Sequence, residues 1–223
     1  MEKHTVYSYD KELNKLRNSV INMSGLVKDL LTIANYAVQD PNKSFVQLAN
    51  STDSKINHFD SEVENLAVNV LALRQPMAID LRQVISALKL AVILERMGDL
   101  AKKVSQRMEY LPITLNNELT SLIQATAKEL ERLLTDAITA YKNLDQELAL
   151  TITKQDHIID DYYVKIMALL EKEINNKSNQ ASSLVNLILI ARNFERIGDY
   201  INKIAYITHY IITGEQLTSI DPS

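Results

Sequence analysis

The feature that most constrains this chain is an ordered pair of motifs that occurs once in each half. Residues 95–99 read Glu-Arg-Met-Gly-Asp, and residues 195–199, one hundred positions later, read Glu-Arg-Ile-Gly-Asp. An earlier pair precedes them in the same order, with Asp-Ser-Lys-Ile-Asn at residues 53–57 and Asp-His-Ile-Ile-Asp at residues 156–160. Recurrence of two motifs in one order predicts an internal structural repeat.

The repeat predicts two tandem domains, residues 1–113 and 114–223. Both are predicted to be helical, because the 223 residues include only four glycines and four prolines, and because apolar residues recur at three- and four-residue steps. Prolines 41, 76 and 112 and polar turns separate six predicted helices, at residues 11–38, 43–74, 77–110, 117–142, 145–175 and 180–213. Gly214 is expected to end the last helix. Short connections make neighbours antiparallel, so we predict an all-α fold of two tandem three-helix bundles.

Composition excludes several classes of function. The formal net charge is −4 and Lys and Arg form no run, which argues against a nucleic-acid or anionic-membrane surface. The chain has no cysteine, so disulfides, thiolate metal sites and a cysteine nucleophile are excluded. The longest apolar stretches fall far short of the ~20 residues that span a bilayer. We expect a cytoplasmic protein that carries no signal peptide.

The repeated motifs place carboxylates on helix faces that the apolar pattern assigns to packing. Glu95 and Asp99 are four residues apart and therefore share one face of a helix. Two further acidic pairs have the same spacing: Glu195 with Asp199, and Asp156 with Asp160. Charge on a packed face is unfavourable unless it is compensated.

Three kinds of compensation are open at this point. The first is salt bridging, since Lys103 and Lys203 stand four residues after Asp99 and Asp199. The second is an acidic groove that binds a partner. The third is a metal ion held by carboxylates of two adjacent helices, a ligand set that suits Mg, Ca or Mn better than Fe or Zn.

No catalytic set emerges from the sequence. The four histidines show neither His-x-x-x-His nor Glu-x-x-His spacing, which a ferritin-like di-iron bundle needs. No glycine-rich phosphate loop and no nucleophile elbow occur. We interpret Gly98 and Gly198 as small residues at close helix crossings. A non-enzymatic binding protein is favoured, with a carboxylate-ligated metalloenzyme and a helical scaffold with solvated acids as alternatives.

The twin Glu-Arg-x-Gly-Asp motifs, the preceding acidic pairs and residues 71–82 (Leu-Ala-Leu-Arg-Gln-Pro-Met-Ala-Ile-Asp-Leu-Arg) resemble the PhoU family. The resemblance runs from Asp10 to Gly214. It implies two tandem three-helix bundles, a homodimer, and a cytoplasmic, non-enzymatic negative regulator of phosphate uptake and of the phosphate-starvation response. The implied partners are the ATPase of a phosphate ABC transporter and a sensor histidine kinase. Nucleic acid is not an implied partner, and the membrane is reached only through those partners.

The resemblance also implies metal binding, with Mg, Mn, Fe or Zn as the ion. The implied ligand positions are Asp53, Asn57, Glu95 and Asp99 in the first half, and Asp156, Asp160, Glu195 and Asp199 in the second. This sequence departs from the family pattern, because Asn57 replaces a usual Asp, and Lys103 and Lys203 replace a frequent Asn. An ammonium group one turn from the acids competes with a metal ion for them. The regulatory interpretation does not depend on the metal.

Overall fold

The computed structural model describes residues 2–40, 43–109, 111, 117–176 and 181–217. Its seven helices are α1 (Glu2–Gln39), α2 (Val46–Arg74), α3 (Ala78–Glu109), α4 (Asn117–Asn143), α5 (Gln146–Thr153), α6 (His157–Asn176) and α7 (Ala181–Thr213). The described residues contain no strand. The all-α prediction is confirmed. None of these helices, over their described residues, is apolar over enough of its length to cross a membrane.

Two predicted helices need correction. The first helix begins at Glu2 rather than at residue 11. The predicted helix 145–175 is interrupted between α5 and α6, although no glycine or proline stands there. The amide of Gln155 donates to the carbonyl of Ile152 at 2.9 Å, so the turn satisfies backbone groups that a continuous helix would pair. Asp156, the last residue of the turn, accepts a hydrogen bond from Asn202 of α7.

The helices pack in the two groups that the repeat predicts. Helices α1, α2 and α3 contact one another, while α4, α5 and α6 contact α7. The halves meet where α1 contacts α4 and where α3 contacts α7. One cluster of buried apolar side chains extends through both groups, so burial of apolar surface stabilises the two halves together. The predicted boundary between residues 113 and 114 lies outside the described residues, and the two-domain division stays a prediction.

Each repeat contains a close helix crossing at its motif glycine. A Cβ atom added to Gly98 of α3 would lie 2.7 Å from Cδ1 of Ile56 on α2. A Cβ atom added to Gly198 of α7 would lie 3.1 Å from Cγ2 of Ile159 on α6. The interpretation of both glycines as residues of tight crossings therefore agrees with the structure. The matching contacts also show that the sequence repeat is a repeat of helix packing.

The end of α7 is fixed by a glycine and by a side chain from the first half. Gly214 has a φ of 79°, and its amide donates to the carbonyl of Tyr210 at 2.9 Å, as expected for a helix-ending glycine. Nε of Arg82 on α3 donates to the carbonyl of Ile211 at 3.0 Å. This bond satisfies a terminal carbonyl of α7 and ties α3 to it.

Candidate functional site: two acidic clusters

The first acidic cluster lies between α2 and α3 and contains its own cation. Nζ of Lys102 lies 2.7 Å from Oδ2 of Asp53 on α2 and 3.1 Å from Oδ1 of Asp99. Asp53 is only 7 % exposed, so its carboxylate requires a partner. Nζ of Lys103 lies 2.6 Å from the other oxygen of Asp99, as the four-residue spacing predicts. Two ammonium groups therefore neutralise this pair of aspartates.

In the first cluster the pKa values of Asp99 and Glu95 are shifted in opposite directions. Burial alone would raise the pKa of Asp99, but hydrogen bonds from Lys103 and Lys102 outweigh it and hold that pKa below its usual value. Burial raises the pKa of Glu95, and repulsion from Asp99, Asp60 and Asp53 raises it further. Asp60 thus belongs electrostatically to this cluster, although its position one turn beyond the first motif did not identify it from the sequence.

The second acidic cluster lies between α6 and α7 and lacks the equivalent ammonium group. Asn202 occupies the position that Lys102 has in the first half. Its amide donates to Oδ1 of Asp156, which immediately precedes α6. Asp160 lies in the first turn of α6. An amide satisfies a hydrogen bond but brings no formal charge, so it does not neutralise the carboxylates.

The carboxylates of the second cluster repel one another. Burial raises the pKa of Asp156, and repulsion from Asp160 and Asp199 adds to the rise. Burial also raises the pKa of Glu195, together with repulsion from Asp199 and Asp160. The pKa of Asp199 is raised by burial and Asp160 despite the opposing effect of Lys203. The two halves therefore have the same acidic motif but opposite electrostatic balance.

Lys203 does not repeat the role of Lys103. Its Nζ lies 4.9 Å from the ring centroid of Tyr200, a cation–π contact. Within the part of the chain that the structure describes, no salt bridge joins a Lys or Arg side chain to the second cluster. Salt bridging, one of the three open alternatives, therefore occurs for Asp99 with Lys103. Lys203 contacts an aromatic ring instead of forming the matching bridge to Asp199.

Arg96 and Arg196, the arginines of the two motifs, both contact the hydroxyl group of Tyr200. Tyr200 of α7 is buried at the contact between α3 and α7. Burial alone would raise the pKa of its hydroxyl, but hydrogen bonds with Arg96 and Arg196 outweigh burial and hold the pKa below its usual value. The two repeats are therefore linked through side chains of their own motifs. The sequence placed these arginines near the acids and marked Tyr200 as a core or interface residue, but it did not predict their contact, since Leu100 occupies the matching position in the first half.

The predicted metal ligands fit an ion differently in the two halves. Among the described residues, no group of three or more acidic or histidine side chains is arranged to hold a metal ion. In the first cluster Lys102 already lies between Asp53 and Asp99, so an added cation would have to displace it. Asn57 is exposed and contributes no charge. The first cluster therefore does not fit a metal ion. Metal ligation in the second cluster stays a prediction.

The protein is thus a helical bundle built from two repeats, and each repeat holds one acidic cluster between its last two helices. The PhoU domain matches residues 20–108 and residues 123–208 of this chain. The chain belongs to the PhoU family.

Known proteins match over almost the whole length. A phosphate-specific transport system accessory protein PhoU homolog of Caulobacter vibrioides is 34 % identical over 223 residues, covering 100 % of this chain and 97 % of the relative. The PhoU homolog of Zymomonas mobilis is 31 % identical over 214 residues, covering 96 % of this chain and 90 % of the relative. The crystal structure of PhoU from Pseudomonas aeruginosa superimposes with a TM-score of 0.87 at 29 % identity, covering 93 % of this chain and 100 % of that one. The crystal structure of the phosphate transport system regulatory protein PhoU from Streptococcus pneumoniae superimposes with a TM-score of 0.85 at 27 % identity. The match covers 94 % of this chain and 99 % of that one.

Replacing Asp99 and the matched Asp199 by asparagine is expected to change the free energy of unfolding in opposite directions. The lowered pKa of Asp99 means that its charge stabilises the fold above its unfolded-state pKa of about 4, and that this stabilisation is lost as the pH falls through the folded-state value. The raised pKa of Asp199 means that its charge is unfavourable at neutral pH and ceases to be so on acidification. At pH 7, Asp99→Asn should lower the free energy of unfolding by about 0.5–1 kcal/mol, and Asp199→Asn should raise it by a similar amount.

Urea unfolding of both variants with EDTA, at pH 7 and at about pH 3, measures this difference. The effect of Asp199→Asn should be lost first as the pH falls, because the folded-state pKa of Asp199 is raised. The effect of Asp99→Asn should shrink only below about pH 4, as the pH falls through the lowered folded-state pKa of Asp99. Effects of the same sign at pH 7 would contradict the electrostatic asymmetry.

Exchanging Lys102 and Asn202 between the two halves is expected to reverse which acidic cluster has a compensating ammonium group. Lys102→Asn should lower the free energy of unfolding by about 2–3 kcal/mol, because it leaves the buried carboxylate of Asp53 without a cation. Asn202→Lys should raise it by about 0.5–1 kcal/mol, because the ammonium group enters an uncompensated acidic cluster. Thermal and urea unfolding in EDTA provide the measurement. Equal losses for both substitutions would show that only packing matters at these positions.

Proposed function

We propose that this chain is a cytoplasmic, non-enzymatic negative regulator of phosphate uptake and of the phosphate-starvation response. It acts as a homodimeric adaptor between the ATPase of a phosphate ABC transporter and a sensor histidine kinase. The full-length similarity to proteins named as accessory to phosphate-specific transport supports the transporter as a partner. The long helices support the adaptor role, since they present surfaces for binding.

The observation that carries the proposal is an exposed apolar corner, called the loop below, that consists of the last residues of α2, residues 75–77 and the first residue of α3. It lies within the segment that resembles the family. Leu73 is 74 % exposed and Met77 is 80 % exposed. Gln75 and Ala78 have φ values of 48° and 50°, in the left-handed region that residues other than glycine seldom adopt. Each such residue costs on the order of 1 kcal/mol, which is retained where a particular shape is needed.

Contacts with α1 hold this loop in place. Nη2 of Arg74 lies 2.6 Å from Oε1 of Glu12, and Nε donates to Oε2 of the same carboxylate at 2.9 Å. The hydroxyl of Tyr9 donates to Oδ2 of Asp80 at 2.9 Å. A loop fixed before binding loses less conformational entropy on complex formation. We therefore assign Leu73 and Met77 to the contact with the transporter ATPase.

Replacing both side chains tests the contact. Leu73→Ser with Met77→Ser removes exposed apolar groups and should leave the free energy of unfolding within about 0.5 kcal/mol of wild type. We expect loss of co-purification with the transporter ATPase, and high alkaline phosphatase activity at high external phosphate. The matched control is Val164→Ser with Val185→Ser, which changes two exposed apolar side chains of the second half. Retained co-purification and normal repression in the loop variant would contradict the assignment.

Divalent metal binding is a second proposed property, and it concerns only the second cluster. The raised pKa values of Asp156, Glu195 and Asp199 support it, because mutually repelling carboxylates gain most from an added cation. Mg, Mn, Fe or Zn would be held by these groups with Asp160. Such an ion would supply positive charge between α6 and α7, where the first half uses Lys102.

Metal analysis of the purified protein tests this second proposal. Wild type dialysed against Mn²⁺ and then buffer should retain the ion in a fixed ratio, and Glu195→Ala with Asp199→Ala should abolish retention. Asn202→Lys should abolish it too, since its ammonium group competes for the same oxygens. The matched control Glu95→Ala should have no effect. Absence of metal from the wild type would favour the scaffold alternative for these acids and leave the adaptor role intact.

A further inference from the structure

A groove runs along the contact of α3 and α7, near the C-terminal end of α7. One part has a volume of about 380 Å³ and is bordered by residues 216–217, which follow α7. An adjoining part of about 510 Å³ has an almost wholly apolar wall that includes Leu88 and Val92. Lys89 and Tyr206 line both parts, which therefore form one continuous groove. Concave sites of this size commonly hold small-molecule ligands.

The groove contains two ammonium groups and no carboxylate. Lys89 of α3 and Lys203 of α7 line both parts, and no acidic residue lines either one. Nζ of Lys89 lies 5.9 Å from the ring centroid of Tyr210. Neither lysine forms a salt bridge within the described ranges. Lys203 also acts on the charge of Asp199, whereas Lys89 has no carboxylate partner among the described residues, and a positive side chain in the groove favours a negatively charged ligand here.

A buried hydroxyl group in the groove has no partner. Ser86 of α3 is 1 % exposed and lines the smaller part, and its Oγ makes no hydrogen bond to any residue that the structure describes. The buried hydroxyl of Thr208, in contrast, donates to the carbonyl of Ile204 at 2.9 Å. Ser105 is also buried without a partner among the described residues, but it does not line the groove. An unpaired buried hydroxyl is unfavourable, and a polar ligand atom in the groove would remove that penalty.

We propose that this groove binds a nucleoside phosphate. The phosphate group contacts Lys89, which acts as a point charge, and it accepts a hydrogen bond from Ser86, while Lys203 adds positive charge farther along the groove. The base packs against the tyrosine rings and the apolar wall, since every base offers a face for stacking. The exposed amide of Gln216 supplies both a donor and an acceptor for the base edge. A bare oxyanion would use the lysines and the serine but would leave the apolar wall without a role.

Titration calorimetry of the full chain with ADP, AMP and inorganic phosphate tests the proposal. EDTA is included so that no divalent ion bridges a phosphate to the acidic clusters. ADP and AMP should bind with micromolar affinity, and inorganic phosphate should bind at least about tenfold more weakly because it lacks the ring. The binding site does not require the adaptor role, so a failed titration leaves that role untouched.

Two variants and a matched control locate the site. Lys89→Gln should weaken ADP binding by about tenfold, which corresponds to the loss of one charge–phosphate contact. Tyr210→Leu should weaken ADP and AMP alike and leave the weak binding of inorganic phosphate unchanged. The control is Lys165→Gln, because Nζ of Lys165 lies 5.7 Å from the ring of Tyr162 in a similar pair on α6, away from the groove. Circular dichroism and thermal unfolding confirm that each variant is folded.

Three results would overturn the proposal. Absence of ADP and AMP binding would leave the groove to another occupant, such as an acidic segment of a partner protein. Equal affinity for ADP and inorganic phosphate would show an oxyanion site without a base. ADP binding that a folded Lys89→Gln variant retains in full, or that Lys165→Gln weakens equally, would place the ligand elsewhere.

Discussion

Carboxylate charge placed between packed helices is the constraint that both halves of this structure share and meet differently. Each repeat brings an acidic motif on its last helix against acids on, or directly before, the preceding helix, where water is partly excluded. In the first half, Lys102 lies between Asp53 and Asp99 and supplies the opposing charge from within the chain. In the second half, Asn202 supplies only a hydrogen bond, and the carboxylates stay mutually repulsive. Differences at two matched positions, Lys102 against Asn202 and the contacts of Lys103 against those of Lys203, thus give two similarly packed bundles different charge compensation.

Most of the fold follows from local sequence information. Few glycines and prolines and the apolar period predict long helices, and Gly214 takes the conformation expected at a helix end. The glycine of each motif meets an isoleucine at the same place in both halves, which the sequence repeat anticipates. The break between α5 and α6 was not predictable in this way, because no helix-breaking residue marks it. It is accompanied by a contact between Asp156 and Asn202, residues far apart in the chain.

The candidate site shows the same division between local and long-range information. The pairing of Asp99 with Lys103 follows from four-residue spacing on one helix. The pairing of Lys102 with Asp53 joins two helices, so it depends on how α2 and α3 are rotated against each other, and sequence spacing does not give that rotation. The contact of Arg96 and Arg196 with Tyr200 also depends on how two helices are rotated against each other, so sequence spacing does not predict it either. The repeat identifies which residues correspond, whereas the packing decides which of them neutralise charge.

The two halves also differ beyond charge. The first contains the exposed apolar loop near Leu73, which contacts with α1 hold in place. In the second, no salt bridge from Lys or Arg reaches the acidic cluster among the residues that the structure describes. The halves contact each other at α3 and α7, where Arg96 and Arg196 lie beside Tyr200.

A carbon-13 NMR titration of the side-chain carboxyl groups, in metal-free protein, tests the central claim most directly. The pKa of Asp99 should lie below that of an ordinary aspartate, and the pKa values of Asp156, Glu195 and Asp199 should lie above those of their ordinary counterparts. Equal pKa values for Asp99 and Asp199 would contradict the asymmetry, because the contacts of Lys102 and Lys103 with Asp99 would then have no electrostatic consequence.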